Sequence, residues 1–146
     1  GAFLMLGAPQ IGVRHSRRLV GTSKVTREQW PTGRVFDDEI GVSPSLSPKF
    51  PNISVPYGAL LPQGLHNILG AGRHIACDPS SHSFLREIPQ CWLTGQAAGI
   101  AAALAAGAGG SPHDLEVAAI QRELLRQGAY LSPVIVNALQ APAAAE

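Results

Sequence analysis

Few side chains in this chain of 146 residues could do chemistry, and the most promising lie between Arg73 and Gln96. His82 is the leading candidate for a catalytic or substrate-orienting group, because an imidazole near its ordinary pKa can accept the proton of a hydroxyl. The competing reading is a hydrogen-bonding or surface residue of a loop. Asp78 could orient that imidazole or cap a helix, and the cap is the stronger reading. His74 reads as packing against the end of a strand. The two cysteines, Cys77 and Cys91, make neither a disulfide framework nor a C-x-x-C metal or redox pair. Cys91 reads as a small buried hydrophobe rather than a reactive thiol. No metal site is expected, and the compartment is expected to be reducing and cytoplasmic.

The other informative residues are small. Asn67-Ile68-Leu69-Gly70-Ala71-Gly72-Arg73 is a short apolar run entering a glycine, and Gly95 to Leu104 is built almost wholly from Ala and Gly. Such backbone suits a place where the chain presses against a flat cofactor or another backbone. Each glycine inside a helix costs roughly 1 kcal/mol relative to Ala, so close packing along the Gly95 and Gly99 stripe must offset the loss. Gln96, polar within an apolar run, needs a partner. Together these residues read as half of a cofactor site.

The elements that must position them follow from local signals. Ile11 to Thr26 has the β-branched content of a strand, and Thr26 caps a short helix that Pro31, Thr32 and Gly33 stop. The Ser/Pro-rich stretch from Gly41 to Pro56 is expected to be an extended loop without regular structure. Short strands are expected at Gly58 to Leu61 and His66 to Leu69, joined by the turn Pro62-Gln63-Gly64. A loop over His74 to Ser83 leads to one helix from Arg86 to Leu104, with Pro89 tolerated in its first turn. A last helix runs from Asp114 to Gln127 and ends at Gly128. From Leu131 the chain reads as a tail, disordered over Ala141 to Glu146, in which Val134-Ile135-Val136 could dock on a partner subunit.

Composition bounds the partners. The net charge of +1 suggests neither nucleic acid nor an anionic membrane. Residues 1–6 are apolar but too short for a membrane span and lack a basic leader. Arg14, Arg17 and Arg18 form a solvated or salt-bridged face rather than a phosphate clamp. Aromatic residues make up 5% and charged residues 14% of the chain, leaving few large side chains to anchor a core. Much of the apolar surface is therefore expected to be buried against a second polypeptide.

Val55-Pro56-Tyr57, Leu61-Pro62-Gln63-Gly64, Asn67, Ala71-Gly72-Arg73, Arg86, Pro89, Cys91 and Gly95-Gln96-Ala97-Ala98-Gly99 follow one another in the register of a known signature. In that respect the chain resembles the C-terminal part of the FAD-dependent oxidoreductases, whose closing motif ends A-G-R and then R-x-x-P-x-C-x-x-x-G-Q-A-A-G-x-A-A-A-L. Gly12 to Gly21 resembles the family's R-x-S-R-R-I-V-G element, Gly33 to Asp38 its G-R-x-F-D-D turn, and Leu124 to Tyr130 its last helix. The resemblance implies an α/β or α+β fold, the C-terminal portion of a Rossmann-like FAD-binding domain.

The same resemblance implies FAD as cofactor, with Gly72, Arg73, Ser83, Arg86, Pro89, Gln90 and Gln96 as its binding residues. Gly72 would sit where a side chain collides with the ribityl or pyrophosphate portion, and Arg73 would touch FAD or form a salt bridge beneath it. Pro89 and Gln90 would lie at the positive helix end facing the pyrimidine edge of the flavin, where negative charge gathers on reduction. His82 would take a hydroxyl proton while hydride leaves to flavin. One stretch departs from the pattern: many relatives show S-A-T-H-E-A-x-G-S where this chain has Ala76-Cys77-Asp78-Pro79-Ser80-Ser81-His82-Ser83. Pro79 replaces a frequent His and Ser83 a Gly, so the backbone path is expected to survive while the chemistry facing substrate differs.

No G-x-G-x-x-G turn occurs, since Gly107, Gly109 and Gly110 follow a helix and read as a cap and loop. The chain is thus expected to be incomplete without an N-terminal dinucleotide-binding part, brought by a second polypeptide or by the leading piece of a longer precursor. Residues 1–56 are read as a strand, short helix and loop on the substrate side, 57–130 as part of the FAD-binding domain, and 131–146 as a tail. The expected function is that of a small subunit or C-terminal fragment, inactive alone, that completes a flavin site for hydride transfer to or from a small organic molecule. The alternative is a non-catalytic scaffold subunit that stabilises a partner flavoenzyme.

Overall fold

The computed structural model describes residues 14–15, 17–45 and 47–141. Strand β1 (Glu39–Ser43) pairs antiparallel with β2 (Ile53–Pro56), Gly41 opposite Val55 and Ser43 opposite Ile53, with a register irregularity between Glu39 and Gly41. This corrects the expectation of an unstructured segment from Gly41 to Pro56. Ile40, Ile53 and Val55 are β-branched and buried, and they carry the pairing. The Ser and Pro residues that mask it sit mainly in the connection between the strands.

Four helices follow: α1 (Pro79–Leu85), α2 (Ile88–Ala108), α3 (Val117–Arg126) and α4 (Pro133–Gln140). The long helix expected from Arg86 is α2, shifted because Arg86 closes α1 and Glu87 stands at the start of α2; Pro89 lies in the first turn and Gly109, at φ 64°, ends the helix. The inner face of α2 puts Ala97, Ile100 and Ala101 into a core shared with Ile40, Val55, Leu60, Ile120 and Leu124. A Cβ added to Gly41 would land on the side chain of Leu93, so Leu93 of α2 packs directly on the β1 backbone. Among the described residues α2 is also the one helix long and apolar enough to cross a membrane.

The remaining elements correct several expectations. The helix expected from Asp114 breaks into a 3-10 turn, Pro112–Asp114, and then α3; Gly128, at φ 82°, lies just beyond its end. Helix α4 occupies what reads as tail, with Ile135 buried in this chain. Of the disorder expected over Ala141 to Glu146, residues 142–146 lie outside the described ones, and Ala141 closes α4. The strands expected at Gly58 to Leu61 and His66 to Leu69 do not form: Tyr57–Leu60 is a 3-10 helix, and residues 66–69 have no regular structure. The chain bends there because the Asp38 carboxylate accepts from the Gly58 N–H at 2.8 Å and the Asp38 carbonyl from the Tyr57 N–H at 2.7 Å. The short helix after Thr26 is a 3-10 helix, Arg27–Thr32, closed by Gly33 at φ 63°. Of the strand expected over Ile11 to Thr26, residues 11–13 and 16 lie outside the described part. The rest joins the body by isolated bridges, Gly21 to Pro62 and Val25 to Cys77.

Candidate functional site

The site is organised by the 3-10 turn Gly72–His74, which lies against α2. Gly72 has φ 66°, where glycine is favoured, and a Cβ there would meet Cys91 Sγ at an ordinary 3.5 Å. The backbone angle, not crowding within this chain, therefore demands the glycine. The turn is held from two sides. The Gly72 N–H donates to Thr94 Oγ1 at 2.9 Å, and the Thr94 hydroxyl donates to the Gln90 carbonyl at 2.8 Å. Opposite, His82 Nε2 lies 3.1 Å from the Arg73 carbonyl. Thr94, fully buried, was not singled out from the sequence; the available signal was a hydroxyl on the inner face of an Ala/Gly helix.

At the start of α2 the polar groups are less complete. No side chain caps this helix, whereas α1 is capped by Asp78, whose carboxylate accepts from the Ser81 N–H at 2.6 Å and the Arg27 N–H at 2.9 Å. Asp78 is thus a cap, as its sequence position suggests. Gln90 is buried and donates to Ser43 Oγ at 3.0 Å, yet its Oε1 has no partner among the described residues. Arg86, the closing residue of α1, is 13% exposed at its side chain; it lies 3.8 Å from the Glu87 carboxylate, and its buried Nε has no partner among the described residues. Pro89 and Arg73 are exposed.

Two of the expected binding residues lie elsewhere. Ser83 spends its hydroxyl on the Ser80 carbonyl at 2.7 Å, one turn back in α1. Gln96 finds its partner on the α3 side, donating to Gln127 Oε1 at 3.0 Å, while Gln127 donates to Glu123 at 2.7 Å. The stripe beside it is open: a Cβ added at Gly95 or Gly99 would meet nothing within 4 Å, and Trp92 on the same face is 73% exposed. Among the described residues, the two helical glycines thus have no packing reason.

His82 lies in α1 rather than in a loop. Asp78-Pro79 forms the cap and first residue of a helix, the role in which Pro is at home. The imidazole is fully buried, one nitrogen on the Arg73 carbonyl and the other 3.2 Å from His15 Nδ1. Burial, with the positive fields of Arg18, His15 and Arg86, holds its pKa below the ordinary histidine range despite the opposing hydrogen bond to Arg73. The folded chain therefore refuses a proton that the unfolded chain accepts. Above the ordinary histidine pKa both states are neutral and no penalty exists; as pH falls through that range, stability is lost until the folded pKa is reached. Denaturant midpoints measured from pH 8 downward should fall in that window, and a His82→Gln variant should lose most of that fall.

The remaining candidates are accounted for locally. Burial pushes the Cys77 thiol up to about 11, and both cysteines are free. His74 is exposed, its Nδ1 3.2 Å from the Ala71 carbonyl. Within the basic cluster Arg18 donates to the Cys77 carbonyl at 3.0 Å, while Arg14 and Arg17 are exposed.

Residues 46–124, more than half of the chain, match the family described as FAD dependent oxidoreductase. Searches of curated proteins and of solved structures found no match.

Proposed function

Because the chain belongs to the family of FAD-dependent oxidoreductases, we propose that it forms the C-terminal part of a Rossmann-like flavin domain and completes a flavin site. The observation that carries this reading is the start of α2. A helix of 21 residues begins there without a side-chain cap, next to a buried donor on Arg86 and acceptor on Gln90 that have no partner among the described residues, beside the left-handed Gly72 turn. That set fits the pyrimidine edge of a flavin, which offers both acceptors and an N–H, and the free helix amides favour negative charge. Arg86 and Gln90 would hold this edge, Gly72 would let the backbone approach, and exposed Arg73 and Pro89 would line the rim. When bound, FAD supplies the hydride chemistry.

The dinucleotide-binding turn comes from a second polypeptide or a preceding segment in this reading. The open Gly95 and Gly99 face of α2, flanked by exposed Trp92 and Ile88, is the surface such a body would cover. The substrate is a small organic molecule, and the free thiols of Cys77 and Cys91 suit a reducing, cytoplasmic setting. The scaffold reading draws on one observation, the sealed position of His82, which leaves that imidazole without access to a substrate.

The test is the visible spectrum of the complex formed with whatever polypeptide co-purifies. A flavin absorbance in the complex, with binding weakened roughly tenfold or more by Arg86→Leu through loss of a charge-assisted bond, is the expected result. A colourless complex disposes of the reading. Colour together with turnover unaltered in the Arg86→Leu variant favours the scaffold.

A further inference from the structure

Two imidazoles meet at the Gly72–Arg73 turn, one buried and one exposed, and the flavin reading uses neither as a pair. Their Nδ1 atoms are 3.2 Å apart, with ring centroids at 4.8 Å and planes tilted by 54°. The Arg73 carbonyl can only accept, so His82 Nε2 carries a hydrogen and the Nδ1 of the neutral ring is bare. The bond between the rings is then donated by the Nδ1–H of His15. His15 leads into the extended segment over 17–26, which is tied to the same turn by the Leu19 N–H donating to the His74 carbonyl at 2.8 Å.

We propose that His82 is a positioning residue, that the linked bonds from His15 through His82 to the Arg73 carbonyl clamp the Gly72–Arg73 turn to the leading segment, and that one added proton keeps this clamp closed while a second parts it at the bond between the rings. The hydrogen count gives the reason. A first proton on His15 leaves the N–H···N bond in place and strengthens it with charge. A first proton on His82 Nδ1 is also accommodated, because exposed His15 can exchange its hydrogen to Nε2 through solvent and accept. A second proton puts hydrogens and charge on both facing nitrogens, and the bond is lost.

Among the described residues, no free carboxylate offsets that second charge. The charged groups acting on His82 are Arg18 from the extended segment, Arg86 from the end of α1, and His15 itself, all of one sign. The carboxylate one turn earlier, Asp78, is committed to the amides of Arg27 and Ser81. Since His82 is enclosed and His15 is at the surface, His15 is the ring that leaves. The consequence for cofactor binding rests on the flavin reading; the clamp does not.

The test is NMR of the full chain with 15N-labelled histidine, titrated downward from neutral pH. His82 is expected in the Nε2–H tautomer. The His82 ring nitrogens should respond in two stages, with the Gly72 and Arg73 amide resonances moving in the second. In His15→Ala, an exposed substitution that leaves the core intact, His82 should titrate in a single step, and the late movement of those amides should disappear. An Nδ1–H tautomer for His82, or Gly72 and Arg73 amides that respond identically in the variant, overturns the proposal. If the two stages are present but the complex holds no flavin at any pH, the flavin reading fails and the clamp stands.

Discussion

Glu39→Ala should destabilise the chain by about 3 kcal/mol, enough to lower the thermal midpoint by on the order of 10 °C. Glu39 is fully buried at the start of β1, and its carboxyl group accepts from the Ser132 N–H at 2.6 Å and the Ser132 hydroxyl at 2.8 Å. It thereby fixes the residue from which α4 departs. Its own carbonyl and that of Asp37 accept from the Gln121 side chain, at 3.0 and 2.9 Å, so α3 is tied to the same strand end. Truncation leaves the two half-buried donors of Ser132 without their acceptor and a void in the place of the fully buried Glu39 side chain, which is why the loss exceeds that of an ordinary hydrogen bond. Glu39→Gln keeps one acceptor and should cost about half as much. Chemical denaturation would decide: a midpoint unchanged in Glu39→Ala means that α4 is not anchored there.

Gly21→Ala should cost about 3 kcal/mol, at the upper end for overpacking, because the added methyl group has nowhere to go. It would lie 2.6 Å from Ala76 Cβ, 2.7 Å from the Ser23 carbonyl and 2.8 Å from the Gly58 carbonyl. Two of these neighbours are backbone oxygens and cannot rotate aside. Gly58 faces the same seam, where a methyl group would meet Thr22 Oγ1 at 2.7 Å. The seam carries the bonds that dock the leading segment, including Thr22 N–H to Leu61 carbonyl at 3.0 Å and Val25 N–H to Ala76 carbonyl at 3.2 Å. Hydrogen exchange should show Thr22, Ser23 and Val25 losing protection well before the α2 amides. Equal protection in the variant and the parent chain would mean that the segment is held by something else. Because the segment also carries His15, the variant should lose the coupled histidine titration.

What could be read from the sequence depended on whether local signals and burial agreed. They agree in α2: a run of good helix formers, a proline in the first turn and a glycine just past the end mark a helix whatever surrounds it. They agree in the capping role of Asp78. They conflict in β1 and β2, where buried Ile40, Ile53 and Val55 carry the pairing but Pro44, Ser45, Ser47, Pro48 and Pro51 between the strands give the stretch the look of a loop. They conflict again at Pro79-Ser80-Ser81, turn-like residues that become a helix once Asp78 caps it. At Gly72 the sequence reads as a strand end with room for FAD, whereas the structure has a 3-10 turn whose backbone angle selects glycine. The partners that hold it, Thr94 and the His15–His82 pair, were not legible, since each is joined to it only by the tertiary fold. Glu39 escaped notice for the same reason, although an acidic residue leading into Ile40-Gly41-Val42 is an anomaly that a strand reading would have exposed.

The outer face of α2 bears on how the chain behaves in solution. From residue 88 to residue 112 there is no Asp, Glu, Lys, Arg or His, and the chain as a whole carries a net charge of +1 with an isoelectric point near 8.1. Colloidal repulsion between copies is therefore weak, and the band with the least of it is also the one that shows Ile88 and Trp92 to water. Adhesion of lone copies through that band would be governed by protein concentration and temperature rather than by ionic strength, because there is almost no charge there for salt to screen.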